Sequence, residues 1–218
     1  MSTTISARGL VQVFGQQVAL GPLDLRLEAG EHLAVLGDNG AGKTTLLRIL
    51  ATAARPAEGR LELFGVEAWS QPDRVRPRLG YLGHQPGLYP ALTARENLEF
   101  FAALYDVGRG RVAEALAEAG LEAVAPRRAE QLSRGQQQRL ALARSILHQP
   151  DLLILDEPDA SLDLAGRQLL GRLMEGRSVV LATHDRALAR ELCARGLLLH
   201  AGRDAGDPWR LQLLESGR

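Results

Sequence analysis

The pattern in the sequence with the clearest chemistry is a glycine-rich loop that ends in lysine and threonine. Residues 37–45, GDNGAGKTT, follow the apolar run HLAVL and precede the helical pattern LLRIL. This fits the spacing G-x-x-x-x-G-K-[ST] between a strand and a helix, where backbone N–H groups and a helix amino end surround phosphate oxygens. Lys43 is predicted to reach the β- and γ-phosphates, and Thr44 to place its hydroxyl on Mg²⁺. The loop residues expected to bind nucleotide are Gly37, Asp38, Asn39, Gly40, Ala41, Gly42, Lys43, Thr44 and Thr45.

Lysine occurs at a single position of the chain. Lysine and arginine total 26, and Lys43 is the one lysine among them. Arginine therefore serves wherever a generic cation is sufficient, whereas this position has kept a compact ammonium group. The alternative, a glycine-rich turn that ends by chance in Lys-Thr, is less consistent with that distribution.

Two carboxylates follow a short apolar run at residues 152–155. Asp156 and Glu157 come at the predicted carboxyl end of a buried strand, where open α/β sheets bind ligands. Asp156 is expected to support the Mg²⁺ shell, and Glu157 to orient or deprotonate a water that attacks the γ-phosphate. Alone, such a run is more often a strand that meets solvent. The phosphate loop in the same chain favours the catalytic interpretation.

A second candidate anion site begins at Ser133, where the segment QLSRGQQQRLALARSILHQP turns into an amphipathic helical pattern. Ser133 with Gln136 three residues later is a capping box, and this is sufficient to explain both residues. The functional alternative keeps the cap and adds a phosphate, bound by Ser133, the Gly135 backbone and the helix amino end. One nucleotide should not need two γ-phosphate sites in one chain. We therefore expect the second site to serve another subunit.

In identity and order these motifs resemble those of the ABC (ATP-binding cassette) ATPases over nearly the whole chain. LSRGQQQR resembles the family signature, residues 37–45 the Walker A loop, and residues 152–157 the Walker B strand with its catalytic glutamate. The other matches are Phe14 to the aromatic residue that stacks on adenine, Gln85 in YLGHQPG to the Q-loop glutamine, Ser161-Leu162-Asp163 to the D-loop, and His184 in ATHD to the switch histidine. Arg134 departs from the commonest signature, which has glycine there.

The resemblance implies hydrolysis of ATP with Mg²⁺ between two copies that face each other head to tail. One copy would hold the nucleotide through its Walker A loop, and the signature of the other copy would close the site. The residues implied in catalysis are Lys43, Gln85, Glu157 and His184, the metal ligands are Thr44, Gln85 and Asp156, and the further nucleotide contacts are Phe14, Gln85, Ser133, Gly135 and Gln136. Gln85 would also sense the nucleotide and move the helical lobe.

Several of these residues also have simpler interpretations. Phe14 alone is more often a core aromatic than a platform for a base, and Gln85 and His184 alone are ordinary loop residues. We interpret the remaining histidines (His32, His84, His148 and His200) as structural, and Cys193 as a buried thiol.

The elements that must position these residues predict an α/β fold: a P-loop ATPase core with a mostly parallel sheet, an N-terminal antiparallel β subdomain and an inserted helical lobe. Apolar runs at 33–36, 152–155 and 179–182 are typical of strands buried on both faces. Alternation near residues 23–28 indicates antiparallel strands. Helices are predicted over residues 44–54, 94–105, 112–120, 136–147 and 165–175. We expect one domain, with residues 1–86 and 151–218 forming the core and residues 87–150 the lobe.

The composition excludes several classes of protein. The 218 residues are 45% hydrophobic and have a formal net charge of zero, so disorder and a broad basic surface for nucleic acid are both disfavoured. One cysteine excludes an intramolecular disulfide. The start of the sequence lacks the pattern of a secretory signal, and no run approaches the roughly 20 apolar residues of a membrane span. We therefore expect a soluble protein of a reducing compartment, without a nucleic-acid partner. The resemblance to ABC ATPases implies in addition that it is a peripheral subunit on the cytoplasmic face of the membrane.

The resemblance implies a separate membrane permease as partner, which would dock on residues 87–101. The strings YLGHQPG and LTARENLEFFAALY are similar to those of the ATP-binding subunits of haem exporters in bacterial cytochrome c maturation, as is the short length. The alternative is another small exporter, for drugs or polysaccharides. A soluble cassette ATPase of DNA repair or translation would carry coiled-coil insertions or two cassettes. An unrelated kinase or GTPase is disfavoured by LSRGQ and by His184.

Overall fold

The fold of the computed structural model, which describes residues 2–159 and 162–209, is α/β as predicted. Its strands are β1 (Thr3–Phe14), β2 (Gln17–Glu28), β3 (His32–Leu36), β4 (Glu58–Leu63), β5 (Val66–Glu67), β6 (Leu79–Leu82), β7 (Leu152–Asp156), β8 (Ser178–Ala182), β9 (Arg195–His200) and β10 (Arg203–Asp204). Its helices are α1 (Lys43–Leu50), α2 (Pro72–Val75), α3 (Ala94–Leu104), α4 (Arg109–Glu118), α5 (Arg134–Ile146), α6 (Leu164–Met174) and α7 (Arg186–Leu192). Short 3₁₀ turns cover Arg76–Arg78, Glu122–Val124 and Ala129–Gln131.

The main sheet has the strand order β10-β9-β3-β8-β7-β6. All neighbouring pairs from β9 to β6 are parallel, and β10 pairs with β9 in the antiparallel sense. Every residue of β7 and β8 is buried, which confirms that the apolar runs form central strands. Because β3, β8 and β7 are adjacent and parallel, the segments that follow them all meet at one edge of the sheet.

A second, antiparallel sheet has the order β2-β1-β4-β5. Its two long strands form a hairpin, in which the leucines at 23, 25 and 27 are buried and alternate with exposed polar residues. These leucines share one hydrophobic core with β3 and with the buried face of α1. A second core joins the other face of the main sheet to α3, α5, α6 and α7. The hairpin is thereby held beside the amino end of α1.

The five predicted helices are all present, with ends displaced by at most four residues. The largest displacement is at the end of α1, where Thr52 adopts a positive φ of 55° and the helical pattern stops. Between β6 and β7 the backbone forms only helices and turns, apart from one isolated bridge between Thr93 and Arg128. The division into core and lobe at residues 87 and 150 stays a prediction. None of the described helices is both long and apolar enough to cross a membrane.

Candidate active site

A cleft of about 500 Å³ opens where the loops after β3, β6 and β7 meet the β1–β2 hairpin. Residues 39–45 of the phosphate loop form one wall, and Glu157 lies on another. Phe14 and Gln17 line the cleft from the hairpin, and His84 lines it from the segment after β6. Phe14, the phosphate loop and Glu157, which lie far apart in the sequence, therefore contribute to a single site.

The phosphate loop depends on glycine at two positions where the chain makes close contacts. Gly37 and Gly42 have φ values of 149° and 99°. A Cβ on Gly37 would lie 2.4 Å from the carbonyl oxygen of Leu199, and one on Gly42 would lie 2.6 Å from that of Ala19. Any side chain at either position would displace the neighbouring backbone, so the loop shape requires glycine.

Lys43 lies inside the loop with only 6% of its surface exposed. Its ammonium donates hydrogen bonds to the carbonyl oxygens of Gly37 at 2.7 Å and Asp38 at 3.1 Å. Burial lowers the pKa of Lys43, and the carboxylates of Glu157, Asp156 and Asp38 oppose that shift. The lysine is thus a nearly buried cation whose nearest partners are loop carbonyls, which leaves it positioned to accept an anion in the cleft.

Asp156, the last residue of β7, is 2% exposed. Burial raises the pKa of this carboxyl, while a hydrogen bond with Thr44 acts in the opposite direction. Its Oδ2 atom is buried and has no hydrogen-bond partner among the described residues. An unpartnered carboxylate oxygen beside a threonine hydroxyl is a donor set that suits a hard cation, so Thr44 and Asp156 fit the predicted Mg²⁺. Within the described ranges, no cluster of three or more His, Cys, Asp or Glu side chains could hold a metal.

Glu157 follows β7 with a positive φ of 51°, a conformation that is uncommon for non-glycine residues. Its N–H donates to the carbonyl oxygen of Ala182 at 2.8 Å. The Oε1 atom lies 2.8 Å from Nε2 of His184, and the Oε2 atom lies 3.6 Å from Nδ1 of His84. The two carboxylate oxygens therefore each face a different imidazole.

His184 is held by a hydrogen-bonded turn between β8 and α7. The buried Thr183 hydroxyl donates to Oδ2 of Asp159 at 2.9 Å and accepts the N–H of Asp185 at 3.0 Å. The Asp185 carboxylate in turn caps α7 by accepting the N–H groups of Ala187 and Leu188. These bonds fix the backbone on both sides of His184 and so orient its ring toward Glu157.

Sequence reasoning missed three residues of the cleft, Gln17, Ala19 and His84. We interpreted His84 as structural, yet its side chain is 73% exposed and faces Glu157. Its position directly before Gln85 was the available signal. Gln17 ends the turn that starts at Phe14, whose 59% exposure excludes the alternative of a core aromatic. Phe14 and Gln17 are register partners in the hairpin, and both line the cleft.

The signature segment forms the predicted capping box at the amino end of α5. The Ser133 hydroxyl accepts the N–H of Gln136 at 3.3 Å, and the Gln136 side chain accepts the N–H of Ser133 at 2.9 Å. Ser133 is exposed, and Gly135 and Gln136 are half-buried. None of these three lines the cleft. Gln85 also lies outside it, in a separate pocket of about 290 Å³ beside Leu88 and Gln137.

The D-loop motif is described in part. Ser161 lies outside the described residues. Asp163 is the N-cap of α6 and accepts the N–H of Gly166 at 2.8 Å. Gln138 of α5 donates to the carbonyl oxygen of Pro158 at 3.0 Å, so the helix that starts at the signature also touches the segment that follows Glu157.

Comparison with known proteins places this site in a family. The family model described as ABC transporter matches residues 20–160. The chain belongs to this family. As an ABC-type cassette it is an ATP hydrolase.

Two relatives named for different cargoes are similarly close to this cassette. The "Cytochrome c biogenesis ATP-binding export protein CcmA" of Xanthomonas oryzae pv. oryzae is 41% identical over 207 residues, which cover 90% of this chain and 94% of the relative. The "Daunorubicin resistance ATP-binding protein DrrA3" of Streptomyces coeruleorubidus is 38% identical over 210 residues, which cover 92% of this chain and 66% of the relative. The predicted family is therefore confirmed, and the haem-export subtype is not singled out.

The fold also matches a solved structure. A dimeric ATP-binding cassette in a post-hydrolysis state with bound ADP and Pi superposes with a TM-score of 0.86. The two sequences are 30% identical, and the match covers 93% of this chain and 97% of the chain in that structure. In the present cassette, Lys43, Asp156, Glu157 and His184 come together around one cleft. Gln85 and the signature residues stand outside it.

Proposed function

We propose that two copies of this cassette bind ATP head to tail, each nucleotide lying between the cleft of one copy and the signature of the other. The observation that supports this most is that the cleft of one copy lacks the signature residues. It contains a buried lysine, a phosphate loop and the carboxylate of Glu157, whereas Ser133, Gly135 and Gln136 are absent from its lining. The exposed amino end of α5 is left as an anion-binding surface for a nucleotide held by another copy.

Within one cleft, the phosphate loop and Lys43 bind the β- and γ-phosphates. Thr44 and Asp156, with Gln85 once the lobe has moved, hold the magnesium ion, which neutralises charge on the phosphate oxygens when it is bound. The orphaned Oδ2 atom of Asp156 supports this assignment, because a buried carboxylate oxygen without a partner is costly unless a ligand completes it.

Glu157 is proposed as the general base. A water oxygen attacks the γ-phosphorus, the bond from that phosphorus to the bridging oxygen of ADP breaks, and the proton of the water passes to the Glu157 carboxylate. His184, 2.8 Å from Oε1, holds the carboxylate in place and is positioned to contact the γ-phosphate. The position of Glu157 in the cleft lining, with each carboxylate oxygen facing an imidazole, supports a functional role.

A membrane permease is the proposed partner of the segment after Gln85, at the cytoplasmic face of the membrane. Tyr89 and Phe100 are about half exposed there and pack edge to face, with ring centroids 4.9 Å apart. The fully buried Asn97 accepts the N–H of Tyr89 and donates to the carbonyl oxygens of Tyr89, Leu92 and Thr93. An exposed aromatic pair on a segment held this firmly suits a protein contact.

For the cargo we propose haem, exported for cytochrome c maturation. The strings YLGHQPG and LTARENLEFFAALY and the 41% identity to the cytochrome c biogenesis relative support this. Export of another cargo, such as a drug, is the second candidate, supported by the 38% identity to the daunorubicin resistance relative. Affinity purification from native membranes separates them: a co-purified permease linked to haem handling supports the first, and a drug permease overturns it.

The head-to-tail arrangement has a decisive test by complementation. Lys43→Ala disables the cleft of its own copy, and Ser133→Arg disables the signature that closes the other cleft. Each variant alone is expected to lack hydrolysis, because every site in its homodimer is defective. Mixed one to one, the intact cleft of the second and the intact signature of the first form one complete site, so activity should return to as much as a quarter of wild type (roughly, for random pairing and independent sites). If each site lies within one chain, mixing restores nothing.

A further inference from the structure

The hairpin end of the cleft contains one polar side chain that no motif accounts for. Phe14 and Gln17 are directly opposed in the antiparallel register of β1 and β2. Opposed residues project from the same face with Cβ atoms roughly 5 Å apart, and Ala19, two residues on, shares that face. All three line the cleft. A flat ring stacked on Phe14 therefore has the Gln17 amide within reach of its edge.

The Gln17 amide has no hydrogen-bond partner among the described residues. The residue is exposed, and its side chain makes no hydrogen bond or ion pair within the described part of the chain. Phe14 presents only a ring face, and stacking on such a face tolerates every base. Of the three hairpin residues that line the cleft, Gln17 alone can read the hydrogen-bonding pattern of a base.

The chemistry of a carboxamide distinguishes the two purines. Adenine presents the N6 amino donor next to a ring-nitrogen acceptor, and a glutamine amide can accept from the first and donate to the second. At the edge where adenine has N6 and N7, guanine presents O6 and N7, both acceptors, so the same amide can pair with one of them only. We propose that Gln17 reads this N6/N7 edge of the base stacked on Phe14 and makes this cassette prefer ATP to GTP. This inference rests on the proposed function, in which the cleft binds the nucleotide.

The chain provides a matched control in the adjacent Gln16. Both glutamines are exposed in the same turn, but Gln16 does not line the cleft. We would titrate wild type, Gln17→Leu and Gln16→Leu with Mg²⁺-ATP and Mg²⁺-GTP by calorimetry. Wild type and Gln16→Leu should bind ATP about tenfold or more tightly than GTP. In Gln17→Leu this ratio should fall close to one, mainly through weaker ATP binding.

A second variant keeps the test independent of folding. Gln17→Arg places two donors at the same edge, which suit the O6 and N7 acceptors of guanine and not the N6 amino donor of adenine. Its ratio should fall below that of Gln17→Leu, a shift that misfolding cannot produce. Equal affinity of wild type for both nucleotides, or an unchanged ratio in both Gln17 variants, overturns the inference. Absence of any ATP binding by wild type would instead overturn the proposed function.

Discussion

The two helix amino ends that we propose to bind phosphate are constructed in opposite ways. Helix α1 follows Gly42, which adopts a left-handed conformation and provides no side-chain cap. Helix α5 follows Ser133, whose capping box with Gln136 satisfies two N–H groups within the chain. Yet both helices begin with a cation, Lys43 and Arg134, and neither has an acidic residue in its first turn. A cation at the positive end of a helix is unfavourable, so each end gains when an anion arrives.

The difference indicates that the two helix ends have different roles. At α1 the donors have no side-chain acceptor and the lysine is almost buried, so in the proposed function phosphate completes this end. At α5 the cap is complete and Ser133 and Arg134 are exposed, so the helix is stable alone and a phosphate there would add only a second set of contacts. The first end should therefore determine nucleotide affinity, and the second should determine association between copies.

The largest expected effect is on the hydrolysis step, in a variant that leaves both helix ends unchanged. Glu157→Gln removes the base without touching either end, so turnover should fall by about two orders of magnitude or more while ATP binding is retained. Single-turnover hydrolysis and equilibrium titration measure the two quantities. Glu122→Gln, an exposed glutamate remote from the cleft lining, is the control. Near-normal turnover in the assembled variant would remove Glu157 from the role of base.

The next effect tests the α1 end. Lys43→Ala should weaken ATP binding about 10- to 100-fold, because a charge-assisted contact with phosphate is lost. Lys43→Arg should not restore it, since the larger planar guanidinium does not fit among the loop carbonyls. Arg48→Ala, on an exposed position of the same helix, should bind ATP normally. Titration with Mg²⁺-ATP measures all three, and an unchanged affinity of Lys43→Ala would contradict the assignment.

The α5 end can be tested by separating its cap from its charge. Ser133→Ala loses the cap and should lower the free energy of unfolding by about 1 kcal/mol. Ser133→Asp keeps a good N-cap, but its negative charge would repel a triphosphate. The variant should therefore retain its stability and the affinity of the monomer for ATP. It should no longer form ATP-dependent dimers. Light scattering in a Glu157→Gln background detects the dimer. A Ser133→Asp variant that dimerises normally would show that this end does not meet the nucleotide.

Much of the site could be predicted because its motifs are local. Each apolar strand carries its functional residues directly after it, and parallel pairing brings Lys43, Asp156, Glu157 and His184 to one edge. The helix boundaries also followed from short-range patterns, since Thr93 and Ser133 form capping boxes that involve only neighbours in sequence. Both outcomes depend on contacts that a sequence displays directly.

What could not be predicted depends on contacts between distant segments. His84 faces Glu157 because β6 pairs with β7, and β6 itself was not predicted. Its sequence LGYL is short and contains Gly80, where a Cβ would lie 2.3 Å from the carbonyl oxygen of Ser145 in α5. A glycine required by close helix packing has the appearance of a turn residue in sequence. The role of Gln17 likewise depends on the register of a hairpin.

The smallest expected effect isolates the cation at the α5 end. Arg134 is exposed at the first position of the helix, so Arg134→Gln should raise the free energy of unfolding by about 0.3–1 kcal/mol at low salt, and the gain should shrink as salt screens it. Arg172→Gln, in the last turn of α6 where a cation is favourable, should have the opposite sign. Urea denaturation measures both. If Arg134 is kept for an anion, its variant should also weaken ATP-dependent dimers. A monomer that becomes more stable while its dimer becomes weaker would mean that this end is optimised for the nucleotide of the other copy.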